Sequence, residues 1–424
     1  MKKAIDVSGL YPREKYLRVL RKFYDDEGII KVLTGIRRCG KSSLLKLVIS
    51  ELIRDGVPLS NIVYINLDSK PYKGIRTTGK LEKVIDEEMS FAKEGRIYLF
   101  IDEVQNVKGY ETLINSYRED GGVSIFITGS NSYLLSGQLI TKLTGRYIEI
   151  EVSTLTFDEY VGMKSFLGIS PSEDEFVRYI HDGGFPLSLT FEDDEKRSIY
   201  IRSIIDEIFE KDIRKNKRIR NRALFEEIQT YIINNFGSKT SVSSLSDYLS
   251  KTRQEKVKRE TVYRYLQVME DAKLLSRCKR FDLKSRKSIN GKEKYYLNDL
   301  GIYFARNVDN RINYGPCLEN LVFLYAKSLG YQIAVGEIGG LECDFIIRSS
   351  DNQYAYVQVC RTIDNDNLGP DGKNLTEERE YAPLESLSDG YPKYLLSMDR
   401  LLQRRSGVKH KNIEAFFLNN ESFE

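Results

Sequence analysis

Residues 35–42 read Gly-Ile-Arg-Arg-Cys-Gly-Lys-Ser, the pattern G-x-x-x-x-G-K-[ST]. The glycines of such a segment let successive backbone N–H groups turn inward and form an anion nest. The pattern works only where a strand feeds the loop and a helix leaves it, so that the positive end of the helix dipole meets a phosphate. Both flanks are present. Ile29–Leu33 is a short apolar run that reads as a buried strand, and Ser43–Arg54 sets Leu44, Leu45, Val48 and Leu52 along one side of a helix. The expectation is a phosphate loop in which Gly35, Ile36, Arg37, Arg38, Cys39, Gly40, Lys41, Ser42 and Ser43 surround a nucleotide's phosphates. Lys41 would bridge the β- and γ-phosphates and the Ser42 hydroxyl would serve Mg²⁺, which implies ATP and Mg²⁺ as cofactors. Cys39 reads as a small filler side chain.

Further apolar runs at Ile62–Leu67, Ile97–Ile101 and Ser124–Thr128 alternate with helical stretches. That alternation predicts an α/β domain with a parallel sheet. The third run ends in Asp102-Glu103. An acid at a strand's C-terminal end can hold Mg²⁺, the expected role of Asp102, and Glu103 is placed to polarise an attacking water as general base. Thr128-Gly129-Ser130-Asn131 follows the next run, and Ser130 or Asn131 is expected to sense the γ-phosphate; the same segment also suits a plain strand-end turn. Arg146, in Leu143-Thr144-Gly145-Arg146, suits either a cation delivered to the γ-phosphate, in cis or from a neighbouring copy, or a surface ion pair.

Composition narrows the class. The chain has 424 residues, 41% hydrophobic and 30% charged, which suits two or three globular domains. A net charge of +3 places any nucleic-acid contact in a local patch. No apolar run reaches the roughly 18 residues of a membrane span. No secretory signal opens the chain, and five cysteines without paired spacing argue against a disulfide framework, so a cytoplasmic location is expected.

The set Gly35–Ser42, Phe100–Gln105, Thr128–Asn131, Leu143–Arg146 and Gly183-Gly184-Phe185-Pro186 resembles the bacterial and archaeal AAA-type ATPases that carry a C-terminal domain of unknown function. The resemblance runs over nearly the whole chain. It implies an AAA-type P-loop core, Arg146 near the nucleotide or a subunit boundary, and Gly183–Pro186 among lid helices, with Pro186 close to the adenine. A homo-oligomer follows if Arg146 serves a neighbour. The expected division is a P-loop domain over 1–155, a helical lid over 156–222, a winged helix over 223–310 and a nuclease-like α/β domain over 311–424.

In the middle, Thr240–Ser250 and Arg259–Leu275 have helix-turn-helix spacing, and Arg277–Lys294 carries eight Lys/Arg against two acids. A recognition helix with Arg259 and Arg264 and a basic wing with Lys284, Arg286 and Lys287 would suit duplex DNA. The resemblance supports the winged-helix fold, which in other settings serves only protein contacts. The tail's order of helix, three strands, helix and strand resembles the restriction-endonuclease-like fold. Glu319 and Asp344 match its acids, but the third strand reads Gln358-Val359-Cys360-Arg361. Cys360 stands where that chemistry needs a lysine, and alternation turns Arg361 to the other face. A degenerate site is expected. The leading functional expectation is an ATP-driven switch acting with DNA. The alternatives are an ATP-driven protein-interaction switch without DNA, and an ATP-dependent nuclease.

Overall fold

The computed structural model describes residues 6–129, 143, 145–213, 219–307, 311–364, 367–368, 370 and 373–424. Contacts group the chain into two units, Met1–Thr154 with Asp271–Lys273, and Leu155–Glu270 with Leu274–Glu424.

The first unit is an α/β layer structure. After helix α1 (Glu14–Arg21) come β1 (Ile30–Thr34), α2 (Lys41–Arg54), β2 (Ile62–Asn66), α3 (Thr78–Met89), β3 (Ile97–Asp102), α4 (Tyr110–Asp120), β4 (Val123–Thr128) and β5 (Tyr147–Glu151). The strands form one sheet in the order β2-β3-β4-β1-β5, every pair parallel. β1 and β4 are buried along their whole length, as expected of strands whose two faces are both covered. The four apolar runs of the sequence are β1 to β4. β5 escaped the sequence reading because Tyr-Ile-Glu-Ile-Glu is only half apolar, which is what an edge strand with one open side requires.

A lysine interrupts β1. Lys31 is fully buried; its ammonium donates to the Asp26 carbonyl at 2.6 Å and to Ser124 Oγ at 2.8 Å, and lies 4.6 Å from the centre of the Phe126 ring. Burial outweighs those contacts and lowers its pKa from 10.5 to about 7. Between these values the unfolded chain holds a proton that the folded chain has released, so stability rises with pH from about 7 to about 10.5. Lys31→Met should raise the melting temperature at neutral pH and flatten that slope, which melts at several pH values across the window would check.

The second unit begins with helices Phe157–Phe166, Glu175–Asp182 and Asp194–Glu207, the last running into a π-helical turn, Ile208–Ile213. Helices Arg222–Asn234, Val242–Arg253 and Arg259–Asp271 follow, the latter two in the expected helix-turn-helix positions. Then come β6 (Lys239–Thr240, between the first two of these), β7 (Leu275–Asp282), β8 (Lys287–Leu297), helix Tyr314–Ser328, β9 (Gln332–Ile338), β10 (Leu341–Arg348), β11 (Tyr354–Val359), helix Leu375–Glu385, β12 (Lys393–Ser397), β13 (Arg404–Arg405), β14 (Val408–Asn412) and helix Ile413–Leu418.

The expected boundary at residue 310 does not hold for the sheet. One nine-stranded sheet runs β13-β14-β12-β11-β10-β9-β7-β8-β6 and joins the hairpin to the tail. The link is a parallel pairing of β7 with β9, Arg280 to Val335, Phe281 to Gly336 and Asp282 to Glu337. A free wing would leave the outer edge of β7 unpaired; here β9 satisfies it. Across the join, Tyr296 of β8 stacks on Phe323 with ring centres 4.5 Å apart and meets Phe345 at 5.7 Å.

Candidate functional site

β1 delivers the chain into Gly35, and α2 begins at Lys41. Gly35 has φ +140°, and a Cβ there would lie 2.1 Å from the Val152 carbonyl oxygen. Gly40 occupies the N-cap of α2 with φ 104°, and no side chain caps that end. The first turn therefore keeps its N–H groups for a ligand at the dipole's positive end. The Lys41 ammonium is buried and donates to the carbonyls of Gly35 at 2.9 Å and Ile36 at 3.1 Å. Arg13, which the sequence reading missed, braces the loop: its guanidinium donates to the Cys39 carbonyl at 3.1 Å, Ser153 at 2.7 Å and Thr154 at 3.2 Å. Cys39 is fully buried, as a filler should be. Gly35→Ala should cost about 2–4 kcal/mol, because its Cβ meets backbone and its φ disfavours a side chain. A thermal melt measures this.

The chain ends of β3 and β4 bring the acids to the same edge, since the strand order places β4 between β3 and β1. Asp102 is 1% exposed. Thr128 Oγ1 donates to its Oδ1, while Tyr64 OH at 3.3 Å and Asn66 Nδ2 at 3.2 Å donate to its Oδ2. Thr128 Oγ1 also accepts from the Glu103 N–H at 3.1 Å, so one hydroxyl positions both acids. Glu103 sits in the left-handed region at φ 60°, which costs a non-glycine residue roughly 1–2 kcal/mol. Strain of this kind collects at functional sites. Gln105 Nε2 holds Glu103 Oε2 at 2.5 Å. Burial raises the Glu103 pKa, against the pull of the nearby Lys41 and Arg37 charges. A carboxylate made more basic by burial, within the influence of the Lys41 and Arg37 charges, has the chemistry of a proton acceptor.

An uncharacterised protein of Haemophilus influenzae strain Rd is 32% identical to this chain over 390 residues, 92% of this chain and 94% of that protein, and the family model of the AAA domain matches residues 27–161. The chain belongs to the AAA-domain family. A second relative of this AAA-domain protein, from Methanocaldococcus jannaschii, is 28% identical over 350 residues, 80% of this chain and 76% of its own. Among solved structures, a Walker-type ATPase of Pyrococcus abyssi superposes with TM-score 0.50 at 17% identity, covering 72% of this chain and 98% of its own. That likeness concerns the fold. A model for a domain of unknown function matches residues 173–311, from helix Glu175–Asp182 past the end of β8.

Other expected residues of the AAA-domain protein fall in different places. Ser130 and Asn131 lie outside the described residues. Arg146 precedes β5, and its carbonyl accepts from the N–H of Ile30, the first residue of β1. The phosphate loop follows the last residue of β1, so Arg146 stands at the opposite edge of the sheet, about 15 Å away at the rise of a strand. Of the readings left open for Arg146, the ion pair is the one its own surroundings supply. Its half-exposed side chain reaches Asn115 and Glu119, each at 3.2 Å. Pro186 opens the turn Pro186–Thr190 in the second unit, where the preceding Gly184 N–H donates to Asp299 Oδ2 at 2.8 Å.

On helix Arg259–Asp271, Arg259 is exposed and Tyr263 is 48% exposed, whereas Arg264 is half-buried and covers the Tyr265 ring at 5.4 Å. Lys284, Arg286 and Lys287 are exposed at the hairpin tip. Other cations of the hairpin serve the protein itself: Arg277 pairs with Glu270 at 3.5 Å, Arg280 with Glu337, and Lys294 with Glu319.

In the tail, Asp344 Oδ2 accepts from the Val359 N–H at 2.8 Å, and Gln358 links the Asp344 N–H at 3.2 Å to Glu380 at 2.9 Å. Burial pushes the Asp344 carboxyl well above its usual range, helped by the neighbouring Glu319 charge. Cys360 is a buried thiol raised by burial, and Arg361 lies 4.3 Å over the Tyr314 ring. A lysine does reach the acids, from β8 rather than β11. Sequence reading had counted Lys294 among the wing's cations; its position directly before Tyr-Tyr-Leu was the one available signal of burial.

Among the described residues no helix is long and apolar enough to cross a membrane.

Proposed function

We propose that this AAA-domain protein binds ATP with Mg²⁺, hydrolyses it, and uses the cycle as a switch at duplex DNA. The observation that carries the proposal is the alignment of three strand ends: the loop after β1, Thr128 at the end of β4, and Asp102-Glu103 at the end of β3. The loop's amides and Lys41 would hold the phosphates, Ser42 and Asp102 would hold the cation, and Glu103 would take the proton of the attacking water. Bound magnesium would draw charge from the β- and γ-phosphate oxygens. Arg146, at the far edge of the sheet from its own loop, would act only on a neighbouring copy's nucleotide; mixing Arg146→Ala with Lys41→Ala chains would show complementation if so.

The DNA part rests on exposed Arg259 and Tyr263 at the second helix and on the Lys284-Ser285-Arg286-Lys287 tip. Its test is fluorescence anisotropy on duplex DNA at several salt concentrations. Lys284→Glu/Arg286→Glu/Lys287→Glu should weaken binding about tenfold or more and lower the salt slope by about 3, near 0.9 per lost phosphate contact. Unchanged binding would remove the tip from the interface.

A second reading, a protein-interaction switch without DNA, is favoured by one observation. The hairpin is built into a nine-stranded sheet and spends Arg277, Arg280 and Lys294 on internal pairs. ATP turnover unaffected by duplex DNA would support it.

A further inference from the structure

The helix that carries Arg259 and Tyr263 ends in the first unit: Asp271–Lys273, its last residue and the turn after it, group with Met1–Thr154. Leu274 closes that end by donating its N–H to the Met269 carbonyl at 3.0 Å, and Lys273 sits in the left-handed region at φ 58°. Glycine usually fills such a position, because a side chain there is strained. Lys273 extends its side chain to β5 instead, where Nζ lies 3.1 Å from Glu151 Oε2. Glu151 ends β5 and stands in register with Thr34, which ends β1 and precedes Gly35. The next residue, Val152, donates its N–H to the Thr34 carbonyl at 2.8 Å. Its own carbonyl lies so close to Gly35 that a Cβ there would come to 2.1 Å. The end of β5 therefore touches both the phosphate loop and the turn that closes the helix.

We propose that the Lys273–Glu151 pair carries the state of the phosphate loop to the end of helix Arg259–Asp271, so that nucleotide regulates the surface presenting Arg259 and Tyr263; this rests on the reading that the loop binds nucleotide. A ligand biases a second site only through contacts that differ between two states. The loop supplies two. In one, Lys41 donates to the carbonyls of Gly35 and Ile36. In the other, phosphate oxygens take the ammonium from both carbonyls and fix the Gly35 peptide. Close-packed groups pass such changes on, and Gly35 has no slack against Val152. A filled loop thus steadies Val152 and Glu151, and through Lys273 it steadies the helix end. By reciprocity, whatever holds that helix changes nucleotide affinity by the same factor.

The test is backbone hydrogen exchange of the full chain, alone and saturated with MgADP, with ADP affinity measured by calorimetry for every variant. In wild type MgADP should slow exchange at residues 266–274 by about fivefold or more, the lower end of ordinary coupling between sites. Lys273→Gly keeps the turn and removes the clasp, and Glu151→Ala removes the clasp from the other side. Both should bind ADP as wild type does and lose the slowing. Slowing that persists in either variant, or a wild type that binds ADP without it, would overturn the proposal and leave the nucleotide reading standing. A wild type that binds no ADP overturns both. Should Lys273→Gly fail to fold, Glu151→Ala decides alone, lost slowing supporting the proposal and retained slowing overturning it.

Discussion

Lys41→Ala should abolish ATP and ADP binding while leaving the fold intact. In the structure the ammonium donates to the Gly35 and Ile36 carbonyls at 2.9 and 3.1 Å. Both are acceptors of the loop itself, and a phosphate entering the nest would exchange them for anionic oxygens. Hydrogen bonds to charged groups contribute about 1.5–3 kcal/mol each, so losing two weakens binding by about 10²–10⁴-fold. The amides of the loop remain, which is why the loss falls on affinity and not on folding. A thermal-shift series separates the two. Saturating nucleotide at 100 times its Kd stabilises a protein by about 2.7 kcal/mol, and that shift should vanish in Lys41→Ala while its unliganded melt stays close to wild type. Lys41→Arg should not restore binding, since a planar fork does not reproduce a compact ammonium in a tight loop.

Glu103→Gln should bind nucleotide as wild type does and turn it over about 10²–10⁴-fold more slowly. The amide keeps the size of the carboxylate and can still accept from Gln105, but it cannot take a proton. The left-handed backbone at Glu103, its N–H bond to Thr128 and its raised pKa all act on this one carboxyl. Steady-state phosphate release paired with an equilibrium binding measurement checks the split. Equal hydrolysis by the variant would assign the proton transfer elsewhere.

The phosphate loop and the Asp102-Glu103 pair were legible in the sequence because their signals are local: a strand, a glycine turn and a helix start within twenty-five residues, and an apolar run ending in two acids. What surrounds them was not. Tyr64, Asn66 and Thr128 reach Asp102 across 26 to 38 positions, and Arg13 reaches Ser153 across 140. No periodicity encodes such contacts; they follow from which strands become neighbours. The hairpin shows the same limit in another form. Its cations read as one basic wing, yet the parallel pairing of β7 with β9 takes half of it into a sheet, and Lys294 turns inward to Glu319. Alternation told the faces of the strand apart but not which face would be covered. The resemblance left Arg146 near the nucleotide or at a subunit boundary, and only the register of β1 against β5 sets it at the far end of the strands from its own loop.

Calorimetric titration of MgATP into the wild-type chain tests the central claim most directly. A single saturable site per chain, with its heat lost in Lys41→Ala, is the predicted outcome. A wild-type chain that takes up neither ATP nor ADP in the presence of magnesium would contradict it.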